Sequence, residues 1–248
     1  MDSKKAIWVS IIALCISLTS SVGQAKSVFA VSGHDTGIVK AYSIDPNSAV
    51  TWQADIPNAL PDATGLCLWP QKDKMFVTYE GDDAISWASI KNLDRNPDTD
   101  DYQTGITEGN GLGGMAVDEA ASRLYVIARG TNHLYAFNYD ESENTLAPIP
   151  LSDTTTYRAL SEIGNNSGID IAIDPQGSTV LGTLSVGRLY VSDASGDVEY
   201  YNLVTWDHEG TISFERDVIG IGLDVPGQYL YGGNFSGGSG HSYLMRMP

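Results

Sequence analysis

Short apolar runs, separated by polar residues, recur along this chain at a nearly constant interval. The clearest run has five residues and occurs four times, at 66–70, 115–119, 171–175 and 221–225. Successive copies begin 49, 56 and 50 residues apart. The runs show no clear alternation of apolar and polar positions, which predicts an inner strand buried on both faces.

Two further strand patterns follow each run. The second begins with an apolar pair such as Leu124-Tyr125 or Leu189-Tyr190 and is rich in β-branched and aromatic residues. The third alternates, as at 85–90 and 198–203, which is typical of a strand with one packed face. Short strands with a period near fifty predict an all-β fold, a β-propeller of four-stranded blades. An open sandwich of repeated hairpins is the alternative, although sandwiches seldom keep a fixed internal period.

The order apolar-Ala-apolar-Asp-Pro, turn, Leu-Tyr-Val resembles the repeats of YVTN and NHL propellers, which have lactonase-type and lyase-type propellers as relatives. Residues 171–175 with 188–193 carry the resemblance best, followed by 115–118 with 123–127. The resemblance implies the propeller fold and says little about function. Two positions depart from the pattern, because Trp69 stands where aspartate is usual and Gly222 replaces the small alanine.

Residues 26–248 form one propeller domain with about five blade repeats. The first repeat opens with a second-strand pattern at 27–32, and the last ends with a third-strand pattern at 243–247. Propellers close their ring by pairing strands from both termini in one blade, which removes an exposed sheet edge. The pattern therefore favours an incomplete ring, truncated at the C-terminus or completed by further blades, over an intact five-bladed ring.

Residues 1–25 have the pattern of a secretory signal peptide. Lys4 and Lys5 precede an apolar run at 6–18, and a short polar region ends at Ala25. We expect cleavage after Ala25, a secreted or periplasmic protein, and no membrane span after cleavage. An uncleaved anchor is the alternative, although the apolar run is short for one.

Acidic residues outnumber basic ones, 31 to 14, which gives a formal net charge of −17. This charge argues against nucleic acid and anionic membrane surfaces as partners, and it favours solubility or cation binding. Cys67 is the one cysteine after residue 25, so the mature chain forms no internal disulfide. We expect it to be a small buried apolar residue.

Loops between second and third strands share one face of a propeller with the loops that join successive blades, and they supply the side chains with binding chemistry. Imidazoles and carboxylates converging there would bind a metal or a polar ligand, although the carboxylates are equally typical turn formers. The predicted ligand-binding residues are His34, Asp35, Asp82, His133, Asp193 and His241.

The acidic loop at 94–101 places oxygen ligands at alternating positions, as in some calcium loops. The predicted ligands are Asp94, Asn96, Asp98 and Asp100. The loop lacks the glycine at the sixth position and the glutamate at the twelfth, so a solvated connection is the alternative. The sequence therefore establishes no cofactor, and calcium or another divalent metal is the candidate that this loop offers.

Two function classes remain open. The first is an exported, non-catalytic scaffold whose face, built from residues 58–64, 109–113, 160–168 and 218–220, binds a protein, a glycan or a cell-surface ligand. The alternative is a lactonase-like hydrolase or a lyase with a divalent metal at the channel mouth. The absence of a recognisable catalytic motif favours the scaffold.

Overall fold

The computed structural model describes most of the strands and many of their connections. The described residues are 26–32, 38–44, 50–56, 63–79, 84–92, 101–104, 106, 111–152, 155–160, 162–163, 169–175, 187–193, 196–214, 217–224, 229–235 and 242–247. The predicted signal peptide at 1–25 lies outside them.

Strands make up nearly all of the regular structure in this part of the chain. In chain order they are β1 (Lys26–Ser32), β2 (Ile38–Ile44), β3 (Val50–Ile56), β4 (Ala63–Trp69), β5 (Lys74–Tyr79), β6 (Ala84–Ser89), β7 (Asp101–Gln103), β8 (Leu112–Asp118), β9 (Arg123–Ala128), β10 (His133–Asp140), β11 (Thr145–Ile149), β12 (Tyr157–Ala159), β13 (Asp170–Asp174), β14 (Arg188–Ser192), β15 (Asp197–Asn202), β16 (His208–Ser213), β17 (Gly220–Asp224), β18 (Tyr229–Phe235) and β19 (Ser242–Met247). The predicted all-β class is confirmed.

The strands form five antiparallel sheets, each built from consecutive strands. The sheets are β1–β3, β4–β7, β8–β11 with β12 added beside β10, β13–β16, and β17–β19. Five separate sheets do not match an open sandwich, which has two. The first and last sheets have three strands each among the described residues, and the predicted truncation stays a prediction.

The sheets follow one another through their first strands. Strand β1 contacts β4, β4 contacts β8, β8 contacts β13, and β13 contacts β17. A separate apolar core fills each of the four spaces between consecutive sheets. The alternation along β9 shows how one strand serves two cores. Leu124 and Val126 face the preceding sheet, and Tyr125 faces the next.

The four repeated runs coincide with these first strands, as predicted. Each places a small residue opposite an aromatic residue of the second strand, for example Ala116 opposite Tyr125 and Ala172 opposite Tyr190. Both pairs are buried. Apolar side chains on both faces of a strand are what two flanking cores require.

Trp69, the departure from aspartate in the first run, is an apolar core residue. It is fully buried, and its ring lies 5.4 Å from that of Tyr139 in β10 and 6.4 Å from that of Phe76 in β5. The indole therefore fills the space between the second and third sheets. In the next run, Asp118 instead ends its strand by accepting a hydrogen bond from the N–H of Ala121 (3.0 Å), so its role is turn formation.

Cys67 is buried in the core between the second and third sheets and forms no disulfide, which confirms the prediction of an apolar role. The described residues contain no helix long and apolar enough to cross a bilayer. A three-residue 3-10 turn, Pro70–Lys72, is the helical element in this part of the chain.

Candidate functional site at the loop edge

One edge of the sheets gathers the described parts of the segments that are predicted to bind a ligand. Inner strands begin there, second strands end there, and third strands begin there, as the pairings Leu112–Ala128 and Ala128–His133 show. We call this the loop edge, defined by residues 111–113, 129–133, 155–160, 162–163, 169–170, 192–193, 196–197 and 217–220. Its opposite edge carries the turns at 70–73 and 119–122.

His133 is the first residue of β10 and lies at the loop edge, and its role in ligand binding stays a prediction. Its imidazole stacks on the ring of Tyr157 with centroids 3.8 Å apart and planes 15° apart. Tyr157 belongs to β12, which pairs with the start of β10 and brings the phenol into place. The imidazole is therefore held in a fixed orientation by an aromatic neighbour.

The turn between β9 and β10 is fastened to the segment that leads towards β13. The Asn132 side-chain amide donates to the carbonyl of Ile163 (3.1 Å), and the N–H of Leu160 donates to the carbonyl of Asn132 (3.1 Å). Leu160 and Ile163 are also buried in the core between the third and fourth sheets. Irregular backbone at this edge is thus packed and hydrogen-bonded onto the sheets.

Asp193 also lies at the loop edge, but its carboxylate is used within a turn. Its Oδ1 accepts from the N–H of Asp197 (3.2 Å), and its own N–H donates to the carbonyl of Asp197 (3.1 Å). The side chain is buried. Asp193 therefore stabilises a turn, which was the alternative that the sequence offered for this carboxylate.

The remaining predicted site residues fall outside the described residues. These are His34, Asp35, Asp82 and His241 of the loop-face set, and Asp94, Asn96, Asp98 and Asp100 of the calcium loop. Within the part of the chain that is described, no three His, Cys, Asp or Glu side chains are grouped as metal ligands. His133 and Asp193 therefore do not belong to such a group there.

Asp170, the first residue of β13, is a loop-edge residue that the sequence analysis missed. Its Oδ2 accepts a hydrogen bond from the N–H of Ile221 in β17 (2.9 Å), and its Oδ1 accepts from the N–H of Ile171 (2.9 Å). Its own N–H donates to the hydroxyl of Ser192 in β14 (3.1 Å). One carboxyl group thus joins the fourth sheet to the fifth.

Glycine on the preceding inner strand makes room for Asp170. A Cβ added to Gly114 would lie 2.6 Å from Asp170 Cα and also overlap the carboxyl group. Gly114 donates its N–H to the carbonyl of Ile169 (2.8 Å), so β8 and β13 are in direct backbone contact here. Only a residue without a side chain permits so close an approach.

Burial changes the acidity of Asp170. The residue keeps a small accessible surface, but protein atoms surround its carboxyl group. Desolvation raises the pKa of Asp170 to about 7, and the N–H donors of Ile221 and Ile171 offset this only in part. The carboxyl group therefore changes protonation state near neutral pH, which is the range of a general acid or base.

Asp170 stands out when the four repeated runs are aligned with one more residue at their N-terminal side. The residue just before each run's first apolar position is Gly65, Gly114, Asp170 or Gly220. An ionisable side chain at a position otherwise taken by glycine is a visible exception. The apolar residues that define each run begin one position later, so this position lies just outside the run.

A second polar cluster lies between β15 and β16, away from the loop edge. Buried Glu199 accepts a hydrogen bond from the Thr211 hydroxyl (2.7 Å) and lies 2.6 Å from Nε2 of His208. On the other face of this strand pair, Arg188 donates to Glu209 (2.8 Å). The Glu199 contacts join the adjacent strands β15 and β16, and the Arg188–Glu209 contact reaches from β14 across to β16, so all of them lie within one sheet.

Comparison with known proteins identifies the fold but no family. No protein-family model matches this chain, and no curated protein matches it. The structure is similar to a crystal structure of a Bacteroides uniformis protein described as a candidate 6-phosphogluconolactonase. The two share 14% sequence identity with a TM-score of 0.52, over 89% of this chain and 67% of that chain. At this identity the likeness shows the fold alone, and it agrees with the lactonase-type relatives named above.

Proposed function

We propose that this protein is an exported β-propeller that binds a protein or glycan ligand at its loop edge and does not catalyse a reaction. The sheets would be its blades, and β4, β8, β13 and β17 would line the centre of the ring. Support comes from the chain-order contacts of these strands, the four cores between consecutive sheets, and the similarity to a lactonase-like structure.

The observation that carries the proposal is that irregular segments at the loop edge are held in place on a rigid scaffold. Asn132 ties the β9–β10 turn to Ile163, and His133 is stacked on Tyr157. Binding surfaces are typically built in this way, with loops fixed by the elements beneath them. A preformed surface also loses less conformational entropy when a ligand binds.

The test compares the two edges of the sheets. Residues 26–248 would be purified and applied to a glycan array and to a panel of purified cell-surface proteins. His133→Ala and Arg129→Ala alter the loop edge, whereas Gln71→Ala alters the opposite edge, where Gln71 bonds the side chain of Glu119. We expect the loop-edge variants to weaken binding about tenfold or more and the control to leave it unchanged. Equal effects of all three would contradict the proposal.

The second candidate is a lactonase-like hydrolase or a lyase with a divalent metal at the channel mouth. Two observations favour it, namely the described activity of the structural neighbour and a carboxyl group, Asp170, that ionises near neutral pH. The net charge of −17 opposes it for a phosphorylated lactone, because like charges repel.

Hydrolysis of 6-phosphogluconolactone, with and without a chelator, tests this candidate directly. Turnover that chelation abolishes, and that Asp170→Asn reduces at least a hundredfold, would replace the scaffold proposal with this one. Turnover no faster than the uncatalysed reaction would exclude hydrolysis of this lactone.

A further inference from the structure

Inner strands β13 and β17 are joined at the loop edge by a side chain, whereas β8 and β13 are joined by a direct backbone bond. The direct bond runs from the N–H of Gly114 to the carbonyl of Ile169 (2.8 Å). On the other side of β13, the carboxyl group of Asp170 receives the N–H of Ile221 (2.9 Å). Between β13 and β17 the titratable carboxyl group of Asp170 accepts the joining hydrogen bond, whereas between β8 and β13 a backbone carbonyl accepts it.

This carboxyl group has hydrogen-bond donors but no cationic partner among the described residues. Its partners are the N–H groups of Ile221 and Ile171. At this edge, the charged residues of the adjoining elements are Arg129 after β9, Asp193 after β14 and Asp217 before β17. No hydrogen bond or ion pair joins any of these three to Asp170, and β8 presents only glycine here.

We infer that Asp170 is a proton-controlled clasp between β13 and β17, which holds the loop edge together when its carboxyl group is neutral and loosens it when the group is ionised. Two N–H donors replace only part of the hydration that a carboxylate has in water. The ionised form therefore gains from any opening that admits water, and the neutral form does not. The clasp would regulate the ligand-binding edge, and in that respect it depends on the proposed function.

The Ile221 amide reports on the clasp without any ligand. Its hydrogen exchange, corrected for the intrinsic pH dependence, gives the opening equilibrium constant of the Asp170–Ile221 bond. The raised pKa of Asp170, about 7 in the closed state, predicts that this constant increases about tenfold to a hundredfold between pH 5 and pH 8. Opening increases with pH because only the open state hydrates the carboxylate.

Two variants and one control complete the experiment. Asp170→Asn cannot ionise, so its opening constant should stay within twofold over the same pH range. If it does not fold, Asp170→Gly serves instead, since glycine occupies the aligned positions 65, 114 and 220. Glu143→Gln removes one negative charge from an exposed turn between β10 and β11, outside the loop edge, and should behave as the wild type.

A flat wild-type profile, or an equal increase in the Asp170 variant, would overturn the clasp. Ligand binding is measured separately at pH 5 and pH 8. Absence of binding at both values would contradict the proposed function and leave the clasp standing. Binding that changes with pH equally in the wild type and the Asp170 variant would contradict the regulatory role.

Discussion

At the scale of single residues, glycine and aspartate share one position on the inner strands, and the choice sets how the strands meet. Gly114 allows β8 to touch β13 directly. Asp170 bridges the next space with its carboxyl group. Gly222, two positions after Gly220, is different, because a Cβ there would meet nothing within 4 Å.

Alanine substitution should separate these two kinds of glycine. Gly114→Ala places a Cβ 2.6 Å from Asp170 Cα, so the strands must move apart, and we expect a loss of about 3 kcal/mol or more in the free energy of unfolding. Gly222→Ala meets open space in a strand and restricts the unfolded chain, so we expect a gain of about 0.5 kcal/mol. Urea denaturation measures both. Similar losses in the two variants would show that the inner-strand packing is wrong.

The raised pKa of Asp170 also predicts how stability depends on pH. The folded state favours the protonated form, so this contribution is complete below the unfolded pKa of 3.8 and is lost as the pH rises through about 7. A shift of about three units corresponds to about 4 kcal/mol. The difference in unfolding free energy between wild type and Asp170→Asn, measured from pH 4 to pH 8, should fall by an amount of this order. If the difference in unfolding free energy did not change with pH, the raised pKa of Asp170 would be wrong.

At the scale of elements, hydroxyl groups on second strands tie one sheet to the next. Thr78 in β5 donates to the carbonyl of Gly113 at the start of β8. Ser192 in β14 lies at the equivalent position, with its hydroxyl 3.4 Å from the carbonyl of Ile219 beside β17. Both residues are fully buried. The second strand of the third sheet has Ile127 there, so apolar packing takes this role.

Removing one such hydroxyl should destabilise the contact between two sheets. Thr78→Val keeps the shape of the side chain but leaves the Gly113 carbonyl without this donor, which costs about 1–3 kcal/mol in unfolding free energy. Thr145→Val, at an exposed position of β11, is the matched control and should change stability by less than about 0.5 kcal/mol. Chemical denaturation of the two variants gives the comparison, and equal effects would mean that the hydroxyl does not join the sheets.

The strands were predictable from the sequence because burial on both faces leaves a continuous apolar run, as at Ile171–Ala172–Ile173. The site was less predictable. Turn residues and ligands use the same side chains, so only the observed hydrogen bond to Asp197 identifies Asp193 as a turn former. The repeats mark Asp170 as an exception among Gly65, Gly114 and Gly220, but its contacts with β8 and β17 join residues about fifty positions apart, and the exception does not reveal those contacts.

At the scale of the whole molecule, five sheets follow one another in chain order, with an apolar core between each neighbouring pair. The loop edge collects connections from several sheets on one surface, and of the predicted ligand residues it includes His133 and Asp193 among those the structure describes. The high negative charge favours a ligand that is neutral or positively charged. The fold is shared with a lactonase-like structure, and a shared fold does not determine which ligand or reaction the site serves.

The central proposal is that the loop edge is a surface for a protein or glycan ligand and not the site of a metal-dependent reaction. Metal content of purified residues 26–248, measured with the melting temperature before and after chelation, tests it most directly. We expect less than one equivalent of divalent metal and a melting temperature that chelation leaves unchanged. One or more equivalents of calcium or a transition metal, with chelation lowering the melting temperature by several degrees and abolishing lactone hydrolysis, would contradict it.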